Sequence, residues 1–241
     1  MHAVAEGRDL TRQRSSQTTE YECYICRDME WLLNSEGQAY PCKCREVKRY
    51  RRILEASEIS SVFRELTFDN FKERNETVSS AKRTAMRYAH EFESVRGQRN
   101  NSIAFLGKPG AGKTHLSIAI ANVLMSRMIG VLYMPYREAI IQLKQCIMDE
   151  QNYQREMDRY KKAPVLLMDD LYKGKITETD LNIIFEIINH RYLKGLPVIV
   201  SSEKLTEDLI DFDEATGSRI IEMCKGRIRE FTESGLNYRL T

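Results

Sequence analysis

The 241-residue chain lacks any apolar run able to cross a bilayer; its longest near-apolar stretches, residues 118–125 and 165–168, fall far short of the roughly 20 residues required. The first twenty residues hold no apolar core followed by small residues, so neither a signal peptide nor a transit segment is expected. The expected setting is the cytoplasm, with no membrane partner. An excess of one charge is also missing. Thirty-seven Lys and Arg stand against 35 Asp and Glu, a net +2, so any nucleic-acid binding must come from a local basic patch and not from bulk charge. Internal repeats and low-complexity blocks are absent, and tryptophan occurs once, at Trp31. With 42% hydrophobic and 30% charged residues the chain can build a core, and at about 150 residues per domain its length fits one full domain plus an appendage.

Residues 1–20 are polar and rich in Arg, Ser, Thr and Gln, which predicts a disordered tail. Residues 21–60 form a small cysteine-containing unit that ends in the basic run KCREVKRYRR. Residues 61–100 supply a linker and a lead-in helix, in which Ala81, Ala85, Tyr88, Ala89 and Phe92 recur at helical spacing. From 101 to 241, short apolar runs (IAFLG, GVLYMP, APVLLMDDL, LPVIVSSE) alternate with helical patterns. That alternation predicts an α/β fold with a doubly wound parallel sheet. Leu181, Ile184, Phe185, Ile188 and Tyr192 mark one face of a helix over 178–194. The stretch 138–162 begins amphipathic and becomes almost wholly polar from Asp149, so its far end is expected to project into solvent or onto a partner.

GKPGAGKT matches G-x-x-x-x-G-K-[ST] at every required position, after an apolar run and before a helical pattern. Gly107, Lys108, Pro109, Gly110, Ala111, Gly112, Lys113 and Thr114, followed by His115, are therefore the expected ATP-binding stretch. Glycines let the backbone N–H groups close on phosphates at a helix N-terminus. Lys113 would reach the β- and γ-phosphates and Thr114 would bind Mg²⁺. Further on, VLLMDDL places Asp169 and Asp170 at the end of a buried strand, a Walker B pattern. Asp169 would hold Mg²⁺ and Asp170 would polarise the attacking water; a pair of Asp at a strand end can also simply cap the next helix. Just beyond, Tyr172, Lys173 and Lys175 are either DNA-contact groups, by stacking and charge, or a solvated loop.

Cys23-x₂-Cys26, fifteen intervening residues and Cys42-x-Cys44 give four soft ligands at a spacing suited to one tetrahedral Zn²⁺, with buried or redox thiols as the other reading. So short a segment has no core of its own, and a metal would supply much of its folding free energy. Cys146 and Cys224 stand alone on helical patterns and read as core thiols. Lys43, Arg45, Lys48, Arg49, Arg51 and Arg52, against the single Glu46, form either a phosphate- or acid-binding patch or a solvated helix face.

LTFDNF, GKPGAGKT, VLLMDDL, IVSSEKL, EATGSRIIEM and LNYRL together resemble the DnaC/DnaI-type helicase loaders of the AAA+ ATPases, over roughly residues 66–241. The resemblance implies a P-loop core with little or no helical lid, self-association through the ATPase domain, and Arg219 as a finger inserted at a neighbouring protomer's nucleotide. It implies sensor candidates at Ser202 and Glu203, in a stretch that offers Ser201, Ser202 and Glu203 where relatives usually carry Asn, and at Arg239, which can equally pack on its own domain. Phe68 and Phe71 are candidates for a base-side wall or for the core. The N-terminal zinc unit would dock on a hexameric replicative DNA helicase while the core handles single-stranded DNA. The expected function is ATP-dependent loading of that helicase. An IstB-type transposition helper ATPase and a zinc-containing adaptor that uses ATP as a switch with little hydrolysis are the alternatives.

Overall fold

Within residues 21–42 the buried side chains are Cys23, Cys26 and Cys42. Two three-residue strands, β1 (Trp31–Leu33) and β2 (Ala39–Pro41), pair antiparallel. The turn between them is held by Asn34, whose side-chain oxygen accepts from Glu36 N at 3.0 Å and Gln38 N at 2.8 Å. Ahead of β1, the Asp28 carboxylate accepts from the backbone of Glu22 and Cys23 at 3.1 and 3.0 Å, which shapes the first cysteine knuckle. The computed structural model describes residues 21–55, 63 and 65–233, and the chain divides into two compact units between Cys42 and Lys43. The predicted tail, 1–20, lies outside the described residues.

The second unit begins at α1 (Lys43–Glu55), the basic run. Val47 of this helix, 1% exposed, belongs to the core of the larger unit, while Cys44 in its first turn belongs to the four-cysteine set. Next come α2 (Glu76–Val95), β3 (Ile103–Gly107), α3 (Lys113–Ser126), β4 (Val131–Pro135), α4 (Tyr136–Gln145) and α5 (Glu150–Lys162). They are followed by β5 (Val165–Leu171), α6 (Glu178–Lys194), β6 (Val198–Ser202), α7 (Thr206–Phe212), α8 (Glu214–Met223) and β7 (Ile228–Phe231). The five strands of this unit form one parallel sheet in the order β4-β5-β6-β3-β7.

Strand alternation builds two cores from one sheet, because successive side chains point to opposite faces. Ile103, Phe105, Val165 and Leu167 join one cluster with α2 and α3, whereas Ala104, Leu106, Leu166 and Met168 join the other with α4, α5, α6 and α8. Both faces are thus covered, as a parallel sheet requires. The α6 helix forms where predicted, but its buried stripe is Ile183, Ile184, Ile187 and Ile188, one position round from the predicted face. The stretch 138–162 is two helices, and the polar α5 does not project: Met157 and Tyr160, three residues apart, pack it into the second core. Its last carbonyls are capped from outside. Arg191, fully buried on α6, donates to Tyr160 O, Lys161 O and Ala163 O at 2.9, 3.2 and 2.9 Å, and to Pro197 O at 2.7 Å.

Two glycines are dictated by close approach. A Cβ on Gly107 would lie 2.5 Å from Phe231 O, and φ there is +106°. A Cβ on Gly217 would lie 2.6 Å from Leu209 O, so this glycine lets α8 pack directly on the backbone of α7.

Candidate nucleotide and metal sites

The phosphate loop runs from the end of β3 into α3, with Gly107, Gly110 and Gly112 all at positive φ. It borders a cavity of about 380 Å³ lined by Pro109, Gly110, Gly112, Lys113, Thr114 and His115 from the loop and helix, by Asn70, Phe71, Lys72 and Arg74 from the LTFDNF side, and by Asp170, Lys173 and Glu203 from the far side. Lys113 is buried, its ammonium donating to Gly107 O at 2.7 Å and Lys108 O at 2.8 Å. Burial pushes its pKa below the ordinary lysine value, the signature of a cation held where an anion would relieve it.

Because β6 lies between β3 and β5, the Walker B strand is two positions from the phosphate loop, and its carboxylates reach across the inserted strand. Asp169 is 6% exposed and accepts from Thr114 Oγ1 at 2.8 Å, Ser201 Oγ at 2.5 Å and Tyr133 OH at 3.1 Å. Desolvation raises its pKa, and it has no ion pair among the described residues. A buried carboxylate touching the loop threonine and lacking a cation is the donor set expected for Mg²⁺, so these residues fit the ion.

Ordinary alternation would turn Asp169 and Asp170 to opposite faces. A register shift in β5 between Met168 and Leu171, together with φ of +55° at Asp170, redirects Asp170 into the cavity. Asp170 N donates to Ser201 Oγ at 2.9 Å, so one serine hydroxyl serves both carboxylate residues. The sequence places the sensor on Ser202 and Glu203. Ser202 instead donates to Leu171 O at 2.7 Å, away from the cavity, while Glu203 lines it beside Lys173. Arg239 lies outside the described residues.

The LTFDNF segment is tied to the loop by His115, whose Nε2 lies 2.8 Å from Thr67 O and 3.1 Å from Asn70 Oδ1. Phe71 meets the His115 ring edge-on at 5.0 Å and lines the cavity, whereas Phe68 packs against the core. Of the loop after β5, Tyr172 cannot offer a stacking face to DNA: it is 4% exposed, between Tyr136 and Phe212, with its hydroxyl donating to Asp213 at 2.9 Å. Lys173 is paired with Asp170 and Glu203, and Lys175 is exposed. Arg219, on α8, does not line the cavity of its own chain. Its Nε donates to Asn189 at 3.1 Å, and its guanidinium lies 5.2 Å from the Phe185 ring centroid and 5.5 Å from that of Tyr192.

The four N-terminal cysteines are free thiols, all buried, with every sulfur within 4.8 Å of the others. Zn–S bonds of about 2.3 Å in a tetrahedron put sulfurs about 3.8 Å apart, and Cys23 Sγ and Cys42 Sγ lie 3.8 Å apart. The donor set therefore fits Zn²⁺. Tyr24, Ile25, Met29 and Leu33, which would be core in a metal-free domain, are all about 70% exposed.

Residues missed by sequence reasoning are Tyr133, Asn70, Lys72 and Arg74; the sequence offers Ser201 beside Ser202 and Glu203 without a role of its own. For Ser201 the available signal is parity along β6, since adjacent residues face opposite ways. Asn70, Lys72 and Arg74 lie in or directly after the LTFDNF motif, whereas no local pattern marks Tyr133.

The profile of the IstB-like ATP binding protein family matches residues 5–220. The chain is 37% identical over 220 residues to the phage-like element PBSX protein XkdC of Bacillus subtilis (strain 168), covering 87% of this chain and 82% of that one. It is 26% identical over 145 residues to the replicative helicase loader DnaC of Buchnera aphidicola subsp. Acyrthosiphon pisum, covering 59% of this chain and 57% of that one. The crystal structure of the DnaI aligns with a TM-score of 0.58 at 26% identity, over 70% of this chain and 94% of that one. Among the described residues no helix is long and apolar enough to cross a membrane. A phosphate loop facing a two-carboxylate strand across an inserted strand, on a sheet of this order, is an AAA+ ATPase core, and the chain belongs to the IstB-like ATP-binding protein family.

Proposed function

We propose that the protein is an ATP-controlled loader of a hexameric replicative DNA helicase onto single-stranded DNA, acting in the cytoplasm of a bacterial cell, with docking through the cysteine unit and self-association through the ATPase core. The observation that carries this reading is the pairing of an ATPase core with a separate cysteine unit whose apolar side chains, Tyr24, Ile25, Met29 and Leu33, stay exposed around a buried ligand set. Exposed apolar groups on a rigid knuckle are suited to a protein partner. Exposed cations on α1, among them Lys43, Arg45, Arg49 and Arg52, and Lys175 supply candidate phosphate contacts for the strand.

In the nucleotide site Lys113 and the loop amides would hold the phosphates, and Asp170 would polarise the attacking water. Thr114 and Asp169 would hold Mg²⁺, which would supply neutralisation of phosphate charge. Arg219 lies outside its own cavity, and its planar, permanently charged group would serve a neighbour's nucleotide. Arg219→Ala is expected to lower steady-state ATP turnover by about 1,000-fold, the low end of what an arginine finger contributes, with nucleotide affinity unchanged. Normal turnover would make Arg219 an ordinary helix-surface arginine held by Asn189.

The direct test is mass photometry of the full chain mixed with its host's replicative helicase, with and without ATP. A complex supports loading. The family profile favours one second reading, a transposition helper of the IstB type. No complex with the helicase, combined with binding to a transposase, would replace the loader reading by that one.

A further inference from the structure

At the end of β5 and just beyond it, two residues other than glycine hold a left-handed backbone. Asp170 and Tyr172, two residues apart, both have left-handed φ, +55° and +61°. Asp visits that conformation readily, but a bulky residue such as Tyr172 adopts it only where its surroundings over-determine it, and such outliers gather at switches and active sites. Here the surroundings are visible residue by residue. Ser201 accepts from Asp170 N, Ser202 donates to Leu171 O, and Tyr172 is clamped between two aromatic rings with its hydroxyl on Asp213. What this scaffold presents is one ammonium. Lys173 Nζ lies 2.7 Å from Asp170 Oδ2 and 3.3 Å from Glu203 Oε1, and all three residues line the cavity that holds Lys113 and Thr114.

The chemical consequence concerns Asp170. A carboxylate polarises a water by accepting its proton through a free lone pair, and an ammonium bonded to that carboxylate weakens it as an acceptor. We propose that Lys173 is a built-in brake on ATP hydrolysis, engaging Asp170 in the resting state and releasing it by moving onto Glu203. The proposal rests on the reading of the cavity as an ATP site with Asp170 as the water-polarising group. Lys173 is a positioning residue: it touches Asp170 and not the reacting atoms. Its pairing with both carboxylates also holds its own pKa above the usual lysine value, so it stays charged.

The two anchors make opposite predictions. Lys173→Gln frees Asp170 and should raise turnover at saturating ATP about tenfold, equivalent to ~1.4 kcal/mol of barrier, with KM unchanged. Lys173→Arg restores the cation and should return turnover to the slow wild-type value. Glu203→Gln removes the parking position, leaves Lys173 on Asp170 alone, and should lower turnover below wild type. A merely structural lysine would not give opposite signs for neighbouring partners or rescue by arginine.

The measurement is phosphate release by the full chain with each variant, beside a fluorescent-nucleotide titration. Lower turnover or a raised KM in Lys173→Gln, with ATP still bound by the wild type, would overturn the brake and make Lys173 a phosphate ligand. Equal turnover in Lys173→Gln and wild type, including the case where neither hydrolyses bound ATP, also overturns it. Absence of ATP binding by the wild type would instead bring down the nucleotide-site reading beneath it.

Discussion

Lys113→Ala is expected to weaken ATP binding by at least about 100-fold, from the loss of charge-assisted hydrogen bonds to phosphate each worth about 1.5–3 kcal/mol. The side chain is already gathered into the phosphate loop, donating to Gly107 O and Lys108 O, so little conformational freedom remains to be lost when phosphates arrive. The sign of the stability effect runs the other way. Burial lowers the Lys113 pKa in the folded state, so holding the ammonium charged destabilises the ATP-free fold at any pH below that lowered value. The penalty disappears as pH rises through the window between the folded and unfolded values. Removing the ammonium at neutral pH should therefore leave the melting temperature of the ATP-free protein unchanged or raise it. Fluorescent-nucleotide titration and thermal unfolding of the same samples check both halves, and a variant that still binds ATP with native affinity would remove Lys113 from the site.

Cys23→Ser carries the second large effect and acts on the other unit. Residues 21–42 bury only cysteines, so their folding has no apolar driving force to fall back on once the ligand set is broken. Structural Zn²⁺ contributes about 10–16 kcal/mol of apparent binding free energy in small zinc modules, which is far more than two three-residue strands supply. The variant is expected to lose bound zinc, to unfold this unit and to lose the helicase complex while keeping nucleotide affinity. Trp31 offers a direct readout. It is the single tryptophan of the chain, sits in β1 and is 43% exposed, so its emission reports this unit and not the ATPase core. Chelation of the wild-type protein should shift that emission to the unfolded value with ATP binding intact. Purified protein without zinc, or an emission spectrum indifferent to chelation, would overturn the metal assignment; retained helicase binding by Cys23→Ser would overturn the docking assignment.

Legibility of the fold and site differed by region. The alternation of apolar runs with helical patterns suffices for the α/β class, because a parallel sheet buried on both faces needs continuous apolar strands and covering helices. The phosphate loop is legible because its chemistry demands a contiguous pattern. The polar face of α5 misleads, since two residues, Met157 and Tyr160, are enough to seat it against the second core. In the basic helix α1 the charges are conspicuous in the sequence, and the burial of Val47 among them is not. Tyr172 beside two lysines looks like a nucleic-acid loop, yet its ring is spent on anchoring the strained turn.

By itself the sequence determined the phosphate loop, the Walker B carboxylates, the four-cysteine set and the class of fold, all features written in residues close together or in a regular period. Only the tertiary structure decided that Asp170 faces the nucleotide cavity, that Ser201 and not Ser202 joins the two carboxylates, that Lys173 stands on Asp170, and that Arg219 stays out of its own chain's cavity. The first three depend on which strand was inserted between β3 and β5 and on a one-residue shift in register, and the last on how α8 packs against α6. A shift of one residue reverses the direction of every side chain beyond it, and no local pattern in the chain records where it occurs.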